Sequence, residues 1–217
     1  MEKTPLVIGL AGGVASGKSL VAQCFKHFGA YVLDADRLGH QVLMETDVVT
    51  AIQSRWGIDV LENGEVDRSR LARIVFGPDA SAAIELEHLE NITHPRIGFL
   101  IREQLAMLAD NRQIAIVLDA PLMFKAGWDR LCDKIVFVDA DNSIRRQRAL
   151  QRGWDDDELA KREARQTPIR EKRARSTDII ENSQSRIETY EQAVALWQSW
   201  NLTLPNELAS PYSLFPK

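Results

Sequence analysis

The fold of this chain is decided near its start, where residues 6–19 read LVIGLAGGVASGKS. The first five residues are apolar apart from one glycine, which is typical of a central parallel strand buried on both faces. The last eight, Gly12–Ser19, fit the pattern G-x-x-x-x-G-K-[ST] at each fixed position. Apolar residues then recur at helical spacing as far as Phe28, and Gly29 ends that helix. A phosphate-binding loop requires this order of strand, glycine loop and helix.

The loop predicts a binding site for a nucleoside triphosphate. Its backbone N–H groups, together with the N-terminus of the following helix, can bind phosphate oxygens. The Lys18 ammonium can neutralise charge on the β- and γ-phosphates, and the Ser19 hydroxyl can bind Mg²⁺. The predicted ATP-binding residues are Gly12, Gly13, Val14, Ala15, Ser16, Gly17, Lys18 and Ser19. The alternative is a glycine turn in which the Lys-Ser pair occurs by chance.

The composition is that of an ordinary globular protein. Of the 217 residues, 45% are apolar and 27% charged, and the length predicts one domain with insertions rather than two independent domains. A net charge of −4 lacks the basic excess that general nucleic-acid binding requires. Cys24 and Cys132 belong to no Cys/His cluster and are predicted to be reduced core residues. Because no segment has the pattern of a signal peptide or membrane span, we expect a cytoplasmic protein with no membrane partner.

Four further apolar runs predict strands, at residues 31–33, 114–118, 135–138 and 178–180. Helical patterns alternate with these runs. One of them begins at Thr167-Pro168, with the threonine as N-cap and the proline at the first helical position. Alternating strands and helices predict an α/β fold of the P-loop NTPase type, a three-layer, doubly wound parallel sheet.

Three regions are predicted within a single domain spanning residues 1–217. Residues 38–111 are mainly helical in pattern, with helix starts near Thr46 and Asp67, and form an inserted helical subdomain. Residues 145–175 form a helical lid, and the tail beyond Pro205 is peripheral. The nucleotide-binding core then comprises about residues 1–37, 112–140 and 176–205.

Among proteins with such a loop, the pattern favours a small-molecule kinase. Residues 36–39 match the D-x-x-G of GTPases but follow the loop too soon to leave room for a switch segment. The guanine-reading N-K-x-D and the L-S-G-G-Q of transporter ATPases are both missing from the sequence. A kinase needs a base for the acceptor hydroxyl, cations for the migrating phosphoryl group and a lid that excludes water.

Carboxylates follow two of the predicted strands. Asp34 and Asp36 come after the second strand and share a face only if that strand continues. We favour Asp36 as the base that accepts the proton of the acceptor hydroxyl and expect Asp34 to act as a helix cap or supporting residue. For Asp36 the alternative is also a helix cap. Asp119, at the end of the next strand, is a candidate Mg²⁺ ligand through water, with strand-end capping as its alternative.

The lid region is the basic part of the chain, with eleven Lys or Arg against seven Asp or Glu between residues 141 and 175. Arg145, Arg148 and Arg152 lie on one helix face and could stabilise charge on the transferring phosphate. The alternatives are a solvated helical hairpin with i,i+4 ion pairs, or a nucleic-acid patch, which the acidic run 155–158 disfavours. His94, before Pro95, could contact a polar or anionic acceptor or could be a turn residue.

These motifs together resemble the dephospho-CoA kinase family. The resemblance spans most of the chain and preserves the order and spacing of the motifs, although it is looser in the lid. It is carried by Gly9-Leu10-x-Gly12-Gly13, Asp34-Ala35-Asp36, Asp67-Arg68 with Leu71 and Ile74-Val75-Phe76, Ile92-x-His94-Pro95, Asp119-x-Pro121-Leu122, Arg145, Arg148, Gln151-Arg152, Arg165-Gln166 and Ile179-Ile180-Glu181-Asn182.

The resemblance implies a kinase that phosphorylates the ribose 3′-hydroxyl of dephospho-CoA in the last step of coenzyme A biosynthesis. It implies Lys18, Asp36 and Arg148 as catalytic residues, with Arg148 also binding ATP and Ser19 holding Mg²⁺. Asp119 remains a candidate for the same ion from its position alone. Asp36, His94, Pro121 and Leu122 would contact the acceptor, and the helical insertion would bind that substrate. The implied partners are ATP and dephospho-CoA, without nucleic acid or membrane, and a monomer is the default. The alternatives are another nucleotide or small-metabolite kinase, or a non-catalytic ATP-binding regulator.

Several residues depart from the family pattern. Ala11 replaces a usual Thr, Lys125 a usual Glu, and Thr177 and Gln184 a usual Asp and Gly. Ala15 replaces a usual Gly inside the loop. Because a side chain disfavours positive φ, we predict a negative φ at Ala15.

Overall fold

The computed structural model of the protein describes residues 4–77, 79–111, 113–205 and 214–215. Contacts divide the chain into two compact units: Met1–Asp34 with Leu105–Lys217, and Ala35–Gln104. Most of the predicted peripheral tail lies outside the described residues.

Strands and helices alternate along the described parts of the chain. The strands are β1 (Leu6–Gly12), β2 (Tyr31–Asp34), β3 (Leu61–Glu62), β4 (Glu65–Val66), β5 (Ala115–Asp119), β6 (Lys134–Asp139) and β7 (Asp178–Glu181). The helices are α1 (Lys18–His27), α2 (Ala35–Val42), α3 (Thr46–Trp56), α4 (Arg68–Val75), α5 (Ala82–Asp110), α6 (Asn142–Gln151), α7 (Asp156–Ala164), α8 (Ile169–Ala174) and α9 (Arg186–Ser199). Two short 3₁₀ helices cover Ile58–Val60 and Trp128–Leu131.

The first unit is built on a parallel sheet with the strand order β2-β5-β1-β6-β7. β1 is central, pairing with β5 on one side and β6 on the other, and its residues from Ile8 to Gly12 are buried. The chain passes to one side of β1 for β2 and β5, then to the other for β6 and β7. In such a doubly wound sheet, ligands bind at the carboxyl ends of the strands where the order reverses. The predicted fold class is confirmed, and the glycine loop leaves β1 at this edge.

An aromatic cluster fixes α1, the helix that follows the loop, against α9. The rings of Phe25 and Trp197 stack with centroids 6.0 Å apart, and Phe28 meets Tyr190 edge-on at 5.3 Å. All four side chains are buried, and aromatic pairs of this kind stabilise a core beyond the area they bury. The position of α1 therefore depends on core packing and not on the loop alone.

The two cysteines are free thiols, as predicted. Cys24 is fully buried and Cys132 is half-buried. Burial raises the pKa of each thiol to about 12, so both remain protonated and unreactive at neutral pH.

The second unit is mainly helical, as predicted, and contains a two-stranded antiparallel hairpin of β3 and β4. The Asp67 side chain caps α4 by accepting the backbone N–H groups of Ser69 at 2.8 Å and Arg70 at 3.1 Å. These bonds lower the pKa of Asp67 and explain the helix start predicted there. Arg55 and Trp56 on α3 both donate to Glu85 on α5, which ties these two helices together.

Two local interpretations are wrong, and one element was missed. The interpretation of His94 as a turn residue is wrong, because His94 and Pro95 both lie inside α5. The hairpin was missed because two-residue strands are too short to show alternation. Pro168 is itself the N-cap residue of α8, so Thr167 does not cap that helix and Ile169 is its first residue.

No helix among the described residues is long and apolar enough to span a bilayer.

Substitution Ser185→Ala should lower the free energy of unfolding by about 1 kcal/mol, because Ser185 and Glu188 form a capping box at the start of α9. Chemical denaturation measures the change. Ser54→Ala is the matched control, since Ser54 lies inside α3 and donates only to the carbonyl of Thr50. Equal stability of Ser185→Ala and wild type would contradict the role of the cap.

Candidate active site

The phosphate-binding loop is tightly enclosed, and its glycines leave no room for side chains. A Cβ atom on Gly12 would lie 2.5 Å from the Ser16 hydroxyl oxygen and 2.7 Å from the Val138 carbonyl oxygen. A Cβ atom on Gly13 would lie 2.7 Å from a guanidinium nitrogen of Arg145. Close approach of the Val138 carbonyl and the Ser16 side chain, together with a φ of 155°, therefore favours glycine at position 12, whereas at Gly13 only the ends of the Arg145 and Ile169 side chains are close.

Ala15 has a φ of 60°, so the prediction of a negative φ is wrong. The left-handed conformation costs an L-residue about 1–2 kcal/mol. The Ala15 methyl group is nevertheless buried, in an apolar cluster with Val14, Ala149 and Leu159 against which Trp154 packs. Burial of one methyl group stabilises the fold by about 0.8 kcal/mol, so packing of α6 and α7 on the loop offsets much of the backbone cost.

The N-terminal end of α1 presents the groups that a phosphate needs. Gly17 caps the helix in the left-handed conformation, and Lys18 and Ser19 are its first two residues. The first N–H groups of a helix lack intrahelical acceptors and carry partial positive charge. Ser16 is 1% exposed, and its hydroxyl has no hydrogen-bond partner among the described residues. A helix N-terminus beside a buried hydroxyl that has no partner among the described residues fits a phosphate ligand.

Carbonyl oxygens of alternate loop residues each accept a hydrogen bond from a cationic side chain. The pairs are Lys172 Nζ with Gly12 O at 3.0 Å, Arg145 Nη1 with Val14 O at 3.4 Å, and Arg148 Nη1 with Ser16 O at 3.0 Å. These donors come from α6 and α8, inside the segment predicted to be a lid. Some of the basic residues of that segment therefore form hydrogen bonds with the loop backbone.

Arg148 is held from two sides. Its Nη2 atom donates to the carbonyl oxygen of Asn182 at 2.8 Å, while the Asn182 amide donates to Ser16 O at 2.7 Å. Thr189 on α9 donates to the amide oxygen of Asn182 at 2.8 Å and so orients that amide. Burial and the neighbouring Arg152 lower the pKa of Arg148, although arginine stays charged at any ordinary pH. Arg148 therefore links the loop to the end of β7.

Other charges of the same segment pair with one another near the surface. Arg146 lies 3.1 Å from Asp156, and Arg162 lies 2.7 Å from Glu158 one turn away. The Arg162 guanidinium also lies 4.1 Å from the centre of the Trp154 ring. These contacts match the predicted alternative of a helical hairpin with i,i+4 ion pairs, whereas Arg145 and Arg148 face the loop.

Two carboxylates lie at the edge of the sheet where the loop begins. Asp119 is aligned with Leu10 of β1 on one side and with Asp34 of β2 on the other. Asp36 is exposed in the first turn of α2, because the helix begins at Ala35 directly after the strand. Asp34 and Asp36 therefore diverge, as predicted for the case in which the helix has begun.

The other residues predicted for the acceptor site, and those that depart from the family pattern, are distributed over the two units. Pro121 and Leu122 follow the end of β5 in the first unit and are half-buried. His94 is half-buried within α5 in the second unit. Lys125 is exposed. Thr177 accepts the backbone N–H of Ile135 at 2.9 Å, so this departure from the family pattern joins the starts of β6 and β7.

The residues predicted to hold Mg²⁺ offer only oxygen atoms. Mg²⁺ prefers oxygen ligands, keeps several waters and is commonly held by one or two protein groups together with substrate phosphates. Ser19 and Asp119 fit that pattern. The described residues contain no group of three or more His, Cys, Asp or Glu that could hold a metal without the nucleotide.

Sequence reasoning gave no role to Lys172 or Asn182, which both donate to loop carbonyl groups, and it expected Arg145 to face the transferring phosphate and not the Val14 carbonyl oxygen. Lys172 had no signal beyond its place in a basic segment. Asn182 follows directly after an apolar strand, a position at which open α/β sheets place ligand-binding residues. From the sequence we considered the carboxylates after the second strand, Asp34 and Asp36, and Asp119 after the next, but not the residue after the last strand.

A phosphate-binding loop at the carboxyl end of a central parallel strand, with carboxylates at the ends of neighbouring strands, is the architecture of the P-loop NTPase class. Residues 6–188 match the family model described as dephospho-CoA kinase. The chain belongs to the dephospho-CoA kinase family. The predicted activity, ATP-dependent phosphorylation of dephospho-CoA, is the activity of this family.

Individual relatives agree with this assignment. The dephospho-CoA kinase of Syntrophotalea carbinolica is 39% identical over 194 residues, which cover 88% of this chain and 90% of the relative. A crystal structure of TT1252 from Thermus thermophilus is similar with a TM-score of 0.76 and 32% identity, over 93% of this chain and all of that one. The dephospho-CoA kinase of Campylobacter jejuni, at 23% identity and a TM-score of 0.60 over 91% of this chain and 98% of that one, shares the fold.

Ala15→Val should lower the free energy of unfolding by at least about 2 kcal/mol and weaken ATP binding. A β-branched side chain is poorly compatible with positive φ, and because the Ala15 methyl group is already buried in an apolar cluster, two further carbons should overpack it. Thermal unfolding and nucleotide titration measure the two effects. Ala15→Gly is the matched control. Glycine removes the cost of the left-handed backbone, but it also loses the buried methyl group and makes the unfolded chain more flexible. Because these effects oppose one another, the free energy of unfolding of Ala15→Gly should stay within about 1 kcal/mol of the wild-type value. A fully stable Ala15→Val would contradict the loop geometry.

Proposed function

We propose that the chain performs its family's reaction with ATP bound on residues 12–19 and with Asp36 as the base. The observation that carries this proposal is the glycine loop at the carboxyl end of β1, whose carbonyl groups face cationic side chains. ATP would place its phosphates against the loop amides and the first turn of α1. The Lys18 ammonium would neutralise the β- and γ-phosphates.

Phosphoryl transfer asks for little covalent chemistry from the protein beyond positioning and charge neutralisation. The acceptor 3′-oxygen bonds to the γ-phosphorus, and the bond from that phosphorus to the β–γ bridging oxygen breaks. ADP leaves with the electron pair of the broken bond. The Asp36 carboxylate accepts the proton of the 3′-hydroxyl, and exposure of Asp36 supports this role because an acceptor can reach it.

Ser19 and Asp119 would hold Mg²⁺ in this scheme, Asp119 through water. When bound, the ion neutralises charge on the phosphate oxygens of ATP. The position of Asp119 beside Leu10, two residues before the loop, supports the assignment. Ser19 supports it as the second residue of α1.

The acceptor would use His94, Pro121 and Leu122 together with Asp36. Within one kinase domain of residues 1–217, residues 38–111 would bind dephospho-CoA, residues 145–175 would form the lid, and the core would comprise 1–37, 112–140 and 176–205. In this scheme Arg148 both supports the loop through Ser16 O and adds positive charge beside the phosphates. The compact helical unit Ala35–Gln104 supports the inserted substrate-binding part.

We further propose that the protein is a cytoplasmic monomer. Its family makes a soluble metabolite from soluble substrates, and no other partner is required for this reaction. Size-exclusion chromatography with light scattering tests the oligomeric state, with a mass of about one 24.5 kDa chain expected.

An ADP-release assay with ATP and Mg²⁺ tests the acceptor. The panel comprises dephospho-CoA, adenosine, AMP, CMP and shikimate, with a blank that lacks acceptor. Turnover is expected with dephospho-CoA alone, with CoA as the product. Turnover with a different acceptor would favour another metabolite kinase. Nucleotide binding without turnover would favour a regulatory protein.

Asp36→Asn should lower kcat by about 10²–10⁴-fold while ATP still binds, because the amide cannot accept the hydroxyl proton. Steady-state kinetics and nucleotide titration separate the two effects. Asp34→Asn is the comparison, since Asp34 lies two residues away at the end of β2, and a much smaller loss is expected. A reversed order of the two losses would assign the base to Asp34.

Lys18→Ala should weaken ATP binding or turnover by at least about tenfold, because the variant loses the cation that faces the phosphates. Lys26→Ala provides a matched control, since Lys26 is exposed in the last turn of the same helix. Equal behaviour of Lys18→Ala and Lys26→Ala would remove the nucleotide assignment of the loop.

A further inference from the structure

Lys172 is a buried lysine that the proposed reaction does not use. It lies on α8, which packs against β1, and only 4% of the residue is exposed. Its Nζ atom donates to the Gly12 carbonyl oxygen at 3.0 Å and also to the side-chain oxygen of Gln166. Both acceptors are neutral, so no carboxylate compensates directly for burial of this ammonium group.

The charged groups around Lys172 largely oppose its own charge. Lys18 on α1 and Arg145 on α6 repel it, and Glu163 on α7 attracts it while also pairing with Arg145. β1 contributes no charged side chain. On α8 itself the exposed Glu171 and Arg173 pair elsewhere, with Arg175 and Asp139 respectively, and Arg170 is exposed. Burial and these repulsions lower the pKa of Lys172 to about 8.

The contact with Gly12 has a geometric consequence for the loop. In a trans peptide the C=O and N–H groups point in opposite directions within one plane, and the described residues contain no cis peptide bond. Holding the Gly12 carbonyl toward Lys172 therefore turns the N–H of Gly13 to the opposite side. The same argument applies to Arg145, which orients the N–H of Ala15 through Val14 O.

We propose that Lys172 is a positioning residue of the ATP site: it holds the first loop peptide so that the Gly13 N–H faces the phosphates, and its ammonium charge strengthens phosphate binding while it is protonated. The proposal rests on the proposed placement of ATP on residues 12–19. It adds a third cation, which the sequence motif does not specify, to Lys18 and Arg148.

A pH dependence of ATP affinity follows from this arrangement. An anionic ligand nearby favours the charged form of Lys172, so ATP binding should take up a proton when the free protein has lost it. Because the pKa of Lys172 in the free protein is about 8, ATP affinity should be constant below that pH and fall above it. The γ-phosphate of ATP completes its ionisation at about pH 6 to 7, so it is almost fully charged by about pH 8 and contributes little to the fall above that pH.

The test compares ATP binding by calorimetry between about pH 7 and pH 9.5, without acceptor, for wild type, Lys172→Met, Lys172→Arg and Arg146→Met. Arg146 is the matched control because it lies in the same basic segment but pairs with Asp156 at the surface. Wild type and Arg146→Met should lose affinity together above about pH 8. Lys172→Met should bind about tenfold or more weakly at pH 7 and show no such fall. Lys172→Arg should keep most of the affinity and hold it to pH 9.5, since arginine stays charged.

Wild-type affinity and pH dependence in Lys172→Met would overturn the proposal. So would a pH-independent wild type together with equal losses in the methionine and arginine variants, because that pattern indicates packing alone. If Lys172→Met does not fold, the pH dependence of ATP affinity in wild type and in Lys172→Arg still tests the proposal. Failure of wild type to bind ATP would contradict the nucleotide site itself. ATP binding as expected without phosphorylation of dephospho-CoA would contradict the proposed acceptor and leave the role of Lys172 intact.

Discussion

The structure of the nucleotide site depends on one constraint, that the carbonyl groups of an enclosed loop must find donors while its N–H groups stay available for a ligand. Buried peptide groups are costly when unpaired. Here Lys172, Arg145 and Arg148 donate to alternate carbonyl oxygens of the loop. Since each trans peptide then directs its N–H away from the cation, the same contacts satisfy the acceptors and orient the donors.

This constraint explains why the basic segment after β6 folds against the loop. Its cations supply hydrogen bonds to the loop backbone, and Ala149, Leu159 and Trp154 supply the apolar surface on which Val14 and Ala15 pack. The left-handed backbone at Ala15 is stable in this setting because the methyl group is buried there. The segment that was predicted to be a lid therefore also supports the loop, through hydrogen bonds and apolar contacts.

The cationic side chains next to the loop repel one another, and hydrogen bonds and one ion pair offset part of this repulsion. Arg145 pairs with Glu163, and Arg148 is satisfied by two backbone carbonyl groups, whereas Lys172 has only neutral oxygen acceptors. Lysine loses its proton more readily than arginine when buried, so Lys172 is the member of this group whose charge can change near neutral pH. An anionic ligand reduces the mutual repulsion of these cations, and phosphate binding should therefore stabilise the folded site.

The sequence by itself determined the class of fold, the nucleotide loop and the family. Buried parallel strands appear as continuous apolar runs, and a phosphate loop requires glycine, lysine and serine at set spacings. Both signals are local, and they were sufficient for the five strands of the parallel sheet and for residues 12–19. Only the tertiary structure decided the sign of φ at Ala15, the helical setting of His94 and Pro95, and the use of Lys172, Arg145 and Asn182 as loop donors. These features depend on contacts between residues up to 166 positions apart, which no local pattern encodes.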